Sequence, residues 1–268
     1  MKSFLQHSLQ LPYRFFRENS YRTFLRLLLR YGNAKRFVQT KITFNGITFI
    51  VPDVVSFVWQ YKEIMLDRCY EFKTDSSQPL IIDCGANAGL ASFFFAMKFP
   101  HAKIIAFEAD KKISEIAKQN IALNKITNVE VVNKAVWINE DELSFSTEGA
   151  DGGSLIRNSS EKQKVKAIRL RDVVMSYKKV DMLKIDIEGA ETDVILDCDE
   201  ALLNVENLFV EFHSFSNSKQ KLSHVLTSLE KNGFRYNMEN NYRLKQPFLN
   251  KSTDKAMDMQ LNIFAYRQ

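Results

Sequence analysis

From residue 80 onward, short apolar runs alternate with stretches in which apolar residues recur every third or fourth position. The runs cover 80–84, 104–107, 129–132, 182–187 and 208–212, with a last one at 261–266 placed to close a sheet. Between them Asp110 is positioned to cap a helix carrying Ile113, Ile116, Ala117 and Leu123. Leu222, Val225, Leu226 and Leu229 form a further stripe that stops at Asn232-Gly233. Alternation of this kind predicts parallel strands joined by crossover helices, an α/β fold with helices on both faces of the sheet. An open sheet of that type binds its ligand beyond the carboxyl ends of its strands, so chemistry is sought there.

The stretch before residue 79 reads differently. Residues 41–52 form two alternating runs about Asn45-Gly46, a dipeptide that takes the positive φ angles of a tight hairpin turn. Val58, Tyr61, Met65 and Cys69 then recur at helical spacing. Nearer the N-terminus, Arg22, Arg26 and Arg30 fall in one sector of a helix, with Tyr21, Phe24, Leu25 and Leu28 opposite them. Three sections are expected: a basic amphipathic arm over 1–40, the hairpin and a helix over 41–78, and the main domain over 79–268.

Charge sharpens that division. Residues 1–41 hold nine basic residues and one acidic residue, so the segment carries +8 within a chain of net charge +5. A basic amphipathic helix either packs on the body, where it can act as a lid, or lies on an anionic membrane surface. The 45% hydrophobic and 26% charged composition excludes collagen-like, low-complexity and wholly disordered chains. Cys69, Cys84 and Cys198 are odd in number and too far apart for a zinc site, so they read as structural thiols of a reducing compartment. No apolar window approaches the roughly 18 residues of a spanning helix, and the N-terminus has no signal-peptide pattern. A cytoplasmic protein is expected, with peripheral contact at the inner membrane face as the role a membrane-bound arm would give it. The oligomeric state is not legible.

The end of the first strand run is the most informative stretch: Asp83-Cys84-Gly85-Ala86-Asn87-Ala88-Gly89. Its glycines permit a sharp turn and close backbone approach, and the helix that follows points its first amides at the same place. The G-x-x-x-G spacing is neither the dinucleotide fingerprint nor a P-loop, which needs a Lys-Ser/Thr pair. Glu108 ends the next strand, where a carboxylate can accept both ribose hydroxyls of an adenosine.

These stretches resemble the cofactor site of class I S-adenosylmethionine-dependent methyltransferases, and more narrowly the FkbM family. The residues that carry the resemblance are the loop from Ile82 to Gly89, Phe107-Glu108-Ala109, Gly152-Gly153-Ser154, Leu183-Lys184-Ile185-Asp186-Ile187-Glu188-Gly189-Ala190-Glu191, and Val210-Glu211-Phe212-His213. The resemblance spans about residues 41–266. It implies a Rossmann-like, mostly parallel seven-stranded sheet, S-adenosylmethionine as cofactor with S-adenosylhomocysteine as product, and O-methylation of a sugar, glycan or polyketide-like hydroxyl. The expected cofactor set is Asp83, Gly85, Ala86, Asn87, Gly89, Glu108, Ala109, Asn133, Ala135 and Asp186.

A period of two puts Lys184, Asp186 and Glu188 on one side of their strand, and Glu211 and His213 on one side of the next. Neighbouring strands would gather these five groups at the ligand edge. Methyl transfer to a hydroxyl needs a proton acceptor, and His213 is the expected base because a histidine titrates near neutrality. Glu211 is expected to orient it or hold the acceptor, Asp186 to face the cofactor or acceptor, and Lys184 to balance the carboxylates. Ser154, Glu188 and Glu211 are the expected substrate contacts. The alternative use of Asp186, Glu188, Glu211 and His213 is to hold a divalent cation, for which they are plausible ligands though no spacing requires it. His7, His101 and His224 read as surface residues. The basic arm alone suggests nucleic acid; Phe93, Phe94 and Phe95 read as buried helix rather than a stacking platform interleaved with basic residues, and no Asn-Pro-Pro-aromatic motif ends the fourth strand, so nucleic acid is not expected.

Overall fold

The computed structural model describes residues 18–146, 162–242, 246, 248–249 and 257–268. The chain divides into two units, Met1–Glu71 and Phe72–Gln268.

In the first unit, helix α1 (Asn19–Tyr31) buries Thr23, Phe24 and Leu27 and leaves Arg26 and Arg30 exposed. The inner face is therefore centred nearer Leu27 than the expected Leu25 and Leu28. Thr23 fixes it there: its hydroxyl donates to Asn19 O at 2.9 Å and accepts from Asn45 Nδ2 at 2.9 Å. Strands β1 (Thr40–Phe44) and β2 (Ile47–Val51) pair antiparallel about Asn45 and Gly46, whose φ angles of 48° and 79° are those the hairpin requires. Asp53 caps helix α2 (Val54–Gln60) by accepting from Val55 N at 3.0 Å, and it also pairs with Arg36. The helix then widens into a π turn, Tyr61–Leu66. Its extra residue per turn rotates the later positions, so Ile64 and Leu66 are buried while Met65 and Cys69, expected on the inner stripe, are only partly covered.

The second unit is built on a seven-stranded sheet. In chain order its elements are β3 (Leu80–Cys84), α3 (Leu90–Lys98), β4 (Lys103–Phe107), α4 (Lys111–Leu123), β5 (Val129–Val132), α5 (Leu170–Met175), β9 (Val180–Ile185), α6 (Glu191–Cys198), β10 (Val205–Phe215), α7 (Leu222–Lys231), β11 (Arg235–Asn240) and β12 (Met257–Tyr266). Between β5 and α5, strands β6 (Ala135–Trp137), β7 (Glu142–Ser146) and β8 (Lys162–Arg169) form a separate three-stranded sheet. The large sheet runs β11-β12-β10-β9-β3-β4-β5, with β12 antiparallel to both neighbours and the other pairs parallel.

The central strands β3 and β9 are buried along their whole length, as strands covered on both faces must be. On one face Ile82, Cys84, Leu183, Ile185, Val210 and Phe212 share a cluster with Val174 of α5, Ile195 of α6 and Leu229 of α7. Helices α3 and α4 lie against β3, β4 and β5 from the other, where Ile81, Ile104 and Ala106 are buried. Phe93, Phe94 and Phe95 are core residues of α3. Asp110 caps α4 as expected, accepting from Lys112 N and Ile113 N.

Two expectations change. The last strand does not close the sheet: β12 enters between β10 and β11, because its backbone bonds are met on both sides. Strand β9 stops at Ile185, so Asp186 and Glu188 lie beyond the pleat. Glu188 and Gly189 take φ of 56° and 103°, and a turn rather than strand alternation places the glutamate. Among the described residues no helix is long and apolar enough to cross a membrane.

Candidate active site

The loop after β3 is braced from beneath by charge. Asp83 is fully buried; its Oδ2 accepts from Ser92 Oγ at 2.6 Å and its Oδ1 lies 3.2 Å from Lys184 Nζ. Lys184 also donates to Gly85 O at 3.0 Å and lies 3.4 Å from Asp186 Oδ2. Burial alone would lower the ammonium's pKa, but Asp83 and Asp186 outweigh it and hold it above its ordinary value. Asp83 is expected in the cofactor set and Lys184 among the catalytic groups, balancing their carboxylates. The structure uses them as a strut under the loop, since neither side chain has more than 3% exposure.

Gly85 has φ 85°, and a Cβ built on it would stand 1.7 Å from Asp186 O. The close approach that this glycine permits is thus to the end of β9. Gly85 N and Ala86 N both donate to Phe107 O at 2.9 Å, drawing the loop onto β4. Gly89, with φ 87°, opens helix α3, and Asn87 takes φ 49° with its side chain accepting from Ala88 N.

Glu108 faces this loop. Its Oε2 accepts from Asn87 N at 2.8 Å and its Oε1 from Asp110 N at 2.9 Å. Burial pushes the carboxyl up to about 7, against the lowering effect of those two amides. Asn133 donates to Glu108 O and Ala109 O at 2.9 and 3.0 Å, and Ala109 packs on Ala135. Glu108, Ala109, Asn133 and Ala135 are therefore gathered beside the glycine loop. The donor set suits an adenosine: a carboxylate for ribose hydroxyls and, among the described residues of the loop and its neighbours, an ammonium, Lys184, already committed to Asp83.

A carboxylate–histidine cluster adjoins the loop at the ends of β9 and β10. Asp186 N donates to Cys84 O at 3.0 Å, so the two groups are contiguous. His213 Nδ1 lies 3.1 Å from Glu191 Oε1, while Nε2 stands 3.7 Å from Glu211 Oε1 and 3.8 Å from Glu188 Oε2. Burial would lower the histidine, yet Glu191 first and then Glu188 and Asp186 raise it to about 10. Burial and the neighbouring carboxylates in turn raise Glu188 and Glu211, with His213 opposing. Glu211 also accepts from Gln260 Nε2 across the β10–β12 ladder.

Glu191 is the functional residue that sequence reasoning missed. It is 1% exposed, holds His213, and accepts from Ile187 N at 3.1 Å and Gly189 N at 2.9 Å, which shapes the turn carrying Glu188. The signal was present as a glutamate at the first position of a helix, where an acid that can cap the backbone belongs. Ser154 and the Gly152-Gly153 pair lie outside the described residues, as does His7. His101 and His224 are exposed.

Comparison with known proteins gives the family. The Methyltransferase FkbM domain model matches residues 83–236, more than half of the chain, and the chain belongs to that family. It is an S-adenosylmethionine-dependent methyltransferase. It is 30% identical over 188 residues to methyltransferase sdnD of Sordaria araneosa, covering 56% of this chain and 73% of that one. It is 25% identical over 200 residues to methyltransferase 1 of Beauveria bassiana, covering 65% and 79%. Among solved structures, the SAM-dependent methyltransferase from Agrobacterium tumefaciens is 12% identical with a TM-score of 0.49, covering 88% of this chain and 72% of that one.

The state of Glu108 sets a pH dependence. An ionised carboxylate is needed to accept two hydroxyls, so S-adenosylhomocysteine affinity should rise as pH climbs through about 7. Without ligand the sign is opposite: a carboxyl raised from 4.5 to about 7 favours the fold while protonated, and that contribution is lost as pH rises from about 4.5 to about 7. Calorimetric titrations from pH 6 to 8 read the first effect, and Glu108→Gln should flatten it.

Proposed function

We propose that this enzyme transfers the methyl group to a hydroxyl of a sugar, glycan or polyketide-like small molecule. The observation that supports this reading is the acid–histidine cluster of Asp186, Glu188, Glu211 and His213 at the strand ends, contiguous with the glycine loop. A hydroxyl is a weak nucleophile and must lose its proton during transfer, whereas a free amine needs no such cluster. The cofactor, when bound, would supply a sulfonium whose methyl carbon is the electrophile and whose sulfur would leave as a neutral thioether.

In this reading the loop and Glu108 hold the adenosine, and the acceptor lies over the ends of β9 and β10. Glu188 takes the proton. It is the most open of the cluster, its side chain 32% exposed, and it sits on the turn rather than in the sheet. His213 is not the base: Nδ1 is committed to Glu191, and Nε2 stands among carboxylates. Glu211, steadied by Gln260, and Asp186 orient the acceptor.

Radiolabelled methyl transfer from S-adenosylmethionine to a panel of hydroxylated glycans and polyketide-like alcohols tests the reading. Product with the label on oxygen is expected, and Glu188→Gln should lower kcat on the order of a hundredfold or more with S-adenosylhomocysteine affinity unchanged. Label on nitrogen or carbon, or full turnover in the variant, would contradict it.

A further inference from the structure

We propose that Asp186, Glu211 and His213 form a site for one divalent cation with both nitrogen and oxygen donors, of the Mn²⁺ kind, which holds the acceptor's hydroxyl oxygen. The inference rests on the same reading of the site and adds to it a metal and a preference in substrate. One donor atom from each of the three residues lies within 4.8 Å of the others. His213 Nε2 and Glu211 Oε1 are 3.7 Å apart, too far for a hydrogen bond. Two ligands each about 2.1 Å from one ion are separated by about 3 Å at a right angle and about 4.2 Å when opposite, so this spacing falls within the range for a shared cation.

Second, the histidine is already arranged as a metal ligand. Its Nδ1 faces the buried Glu191 carboxylate at 3.1 Å, which keeps a proton on that nitrogen and leaves Nε2, 3.7 Å from Glu211 Oε1, as the nitrogen a cation would bind by displacing its proton. A carboxylate behind a ligating imidazole is the usual outer partner in such sites.

An independent observation comes from the neighbouring strand. Asn262 pairs with Glu211 in the β10–β12 ladder and so stands on the same face. Its side chain belongs to a residue 7% exposed, and its Oδ1 is buried with no hydrogen-bond partner. A buried carbonyl oxygen left without a donor is costly unless something positive meets it. A hard cation beside Glu211 would meet it directly or through a bound water.

Charge points the same way. Among the described residues Asp186, Glu188, Glu191 and Glu211 lie about His213, and the ammonium of Lys184, 3.4 Å from Asp186, is shared with Asp83. Three protein ligands leave coordination positions for a substrate. A bound cation lowers the pKa of a coordinated hydroxyl as it does that of water, and easing proton loss to Glu188 is what the reaction requires. Acceptors with a second oxygen adjacent to the methylated hydroxyl, a vicinal diol or a hydroxy-carbonyl, would chelate the ion and be preferred.

The test uses the full chain, freed of metal with EDTA and titrated with Mn²⁺ alone, with free ion read by electron paramagnetic resonance. Uptake of one ion per chain is expected, weakened at least tenfold in Asp186→Asn and in Glu211→Gln. Asp186 is partly exposed, so its variant keeps the test valid if loss of the Gln260 contact unfolds the other. Calorimetry with S-adenosylhomocysteine on the same samples separates the two readings. Retained nucleoside binding with no Mn²⁺ uptake overturns the ion site alone, as does equal uptake by wild type and Asp186→Asn. Mn²⁺ uptake that these variants weaken supports the site even where the nucleoside fails to bind.

Discussion

Replacing Gly85 by valine is expected to leave little folded protein. The substituent would enter space already held by backbone: Asp186 O lies 1.7 Å and Asp186 C 2.9 Å from the position of a Cβ. Neither can move cheaply, because Asp186 N is bonded to Cys84 O and Gly85 N to Phe107 O, both within the central sheet. The positive φ adds strain for any residue with a side chain. Together these should destabilise by about 4 kcal/mol or more, a large part of a typical domain's stability. Gly46 is the control. It has φ 79° but nothing within 4 Å of its Cβ position, so Gly46→Ala should bear only the backbone term, about 1–2 kcal/mol. Chemical denaturation followed by circular dichroism compares the two. Equal effects would show that the approach of the loop to β9 is not what requires glycine at 85.

Glu191→Ala is expected to have the largest effect on turnover for a residue that touches no reactant. Its carboxylate holds His213 and the amides of Ile187 and Gly189, so truncation frees the imidazole and loosens the turn bearing Glu188. Breaking a buried pair of this kind destabilises by about 3–5 kcal/mol. Turnover in the surviving folded fraction should fall about a hundredfold or more, by the measure of a misplaced acid–base group. Glu191→Gln retains an oxygen for the amides and should recover most of the stability but not the turnover. Steady-state kinetics on both variants, normalised to folded protein, distinguishes a positioning role from a purely structural one, for which glutamine would restore both.

Local chemistry made much of the fold readable. Asp110 announces a helix because its side chain replaces missing backbone acceptors, and Asn45-Gly46 announces a hairpin because few residues accept its turn angles. The apolar runs of β3 and β9 stand out because a strand covered on both faces has no polar side. Strand β11 gave no such sign: Arg235-Tyr-Asn-Met-Glu-Asn is largely exposed and held by its ladder to β12. The π turn at Tyr61–Leu66 was hidden for another reason, since a register shift in a helix leaves the spacing of apolar letters nearly unchanged.

At the site, residue types were legible and partnerships were not. Glu108, Asp186, Glu211 and His213 could be named because charged groups at strand ends need a reason. That Lys184 braces Asp83, that Gly85 makes room for Asp186, and that Glu191 holds His213 all depend on contacts between segments far apart in sequence. Periodicity also failed once the strand ended, which is why Glu188 reaches the cluster from a turn with φ 56°.

The central claim is that the loop after β3 and Glu108 together hold an adenosine. Isothermal titration of the full chain with S-adenosylhomocysteine, set beside the same titration of Glu108→Ala, tests it most directly. One site per chain, weakened at least tenfold in the variant while its circular dichroism stays that of the wild type, is the predicted result. A folded wild-type protein that takes up no S-adenosylhomocysteine, or a variant that binds it as tightly, would contradict the account.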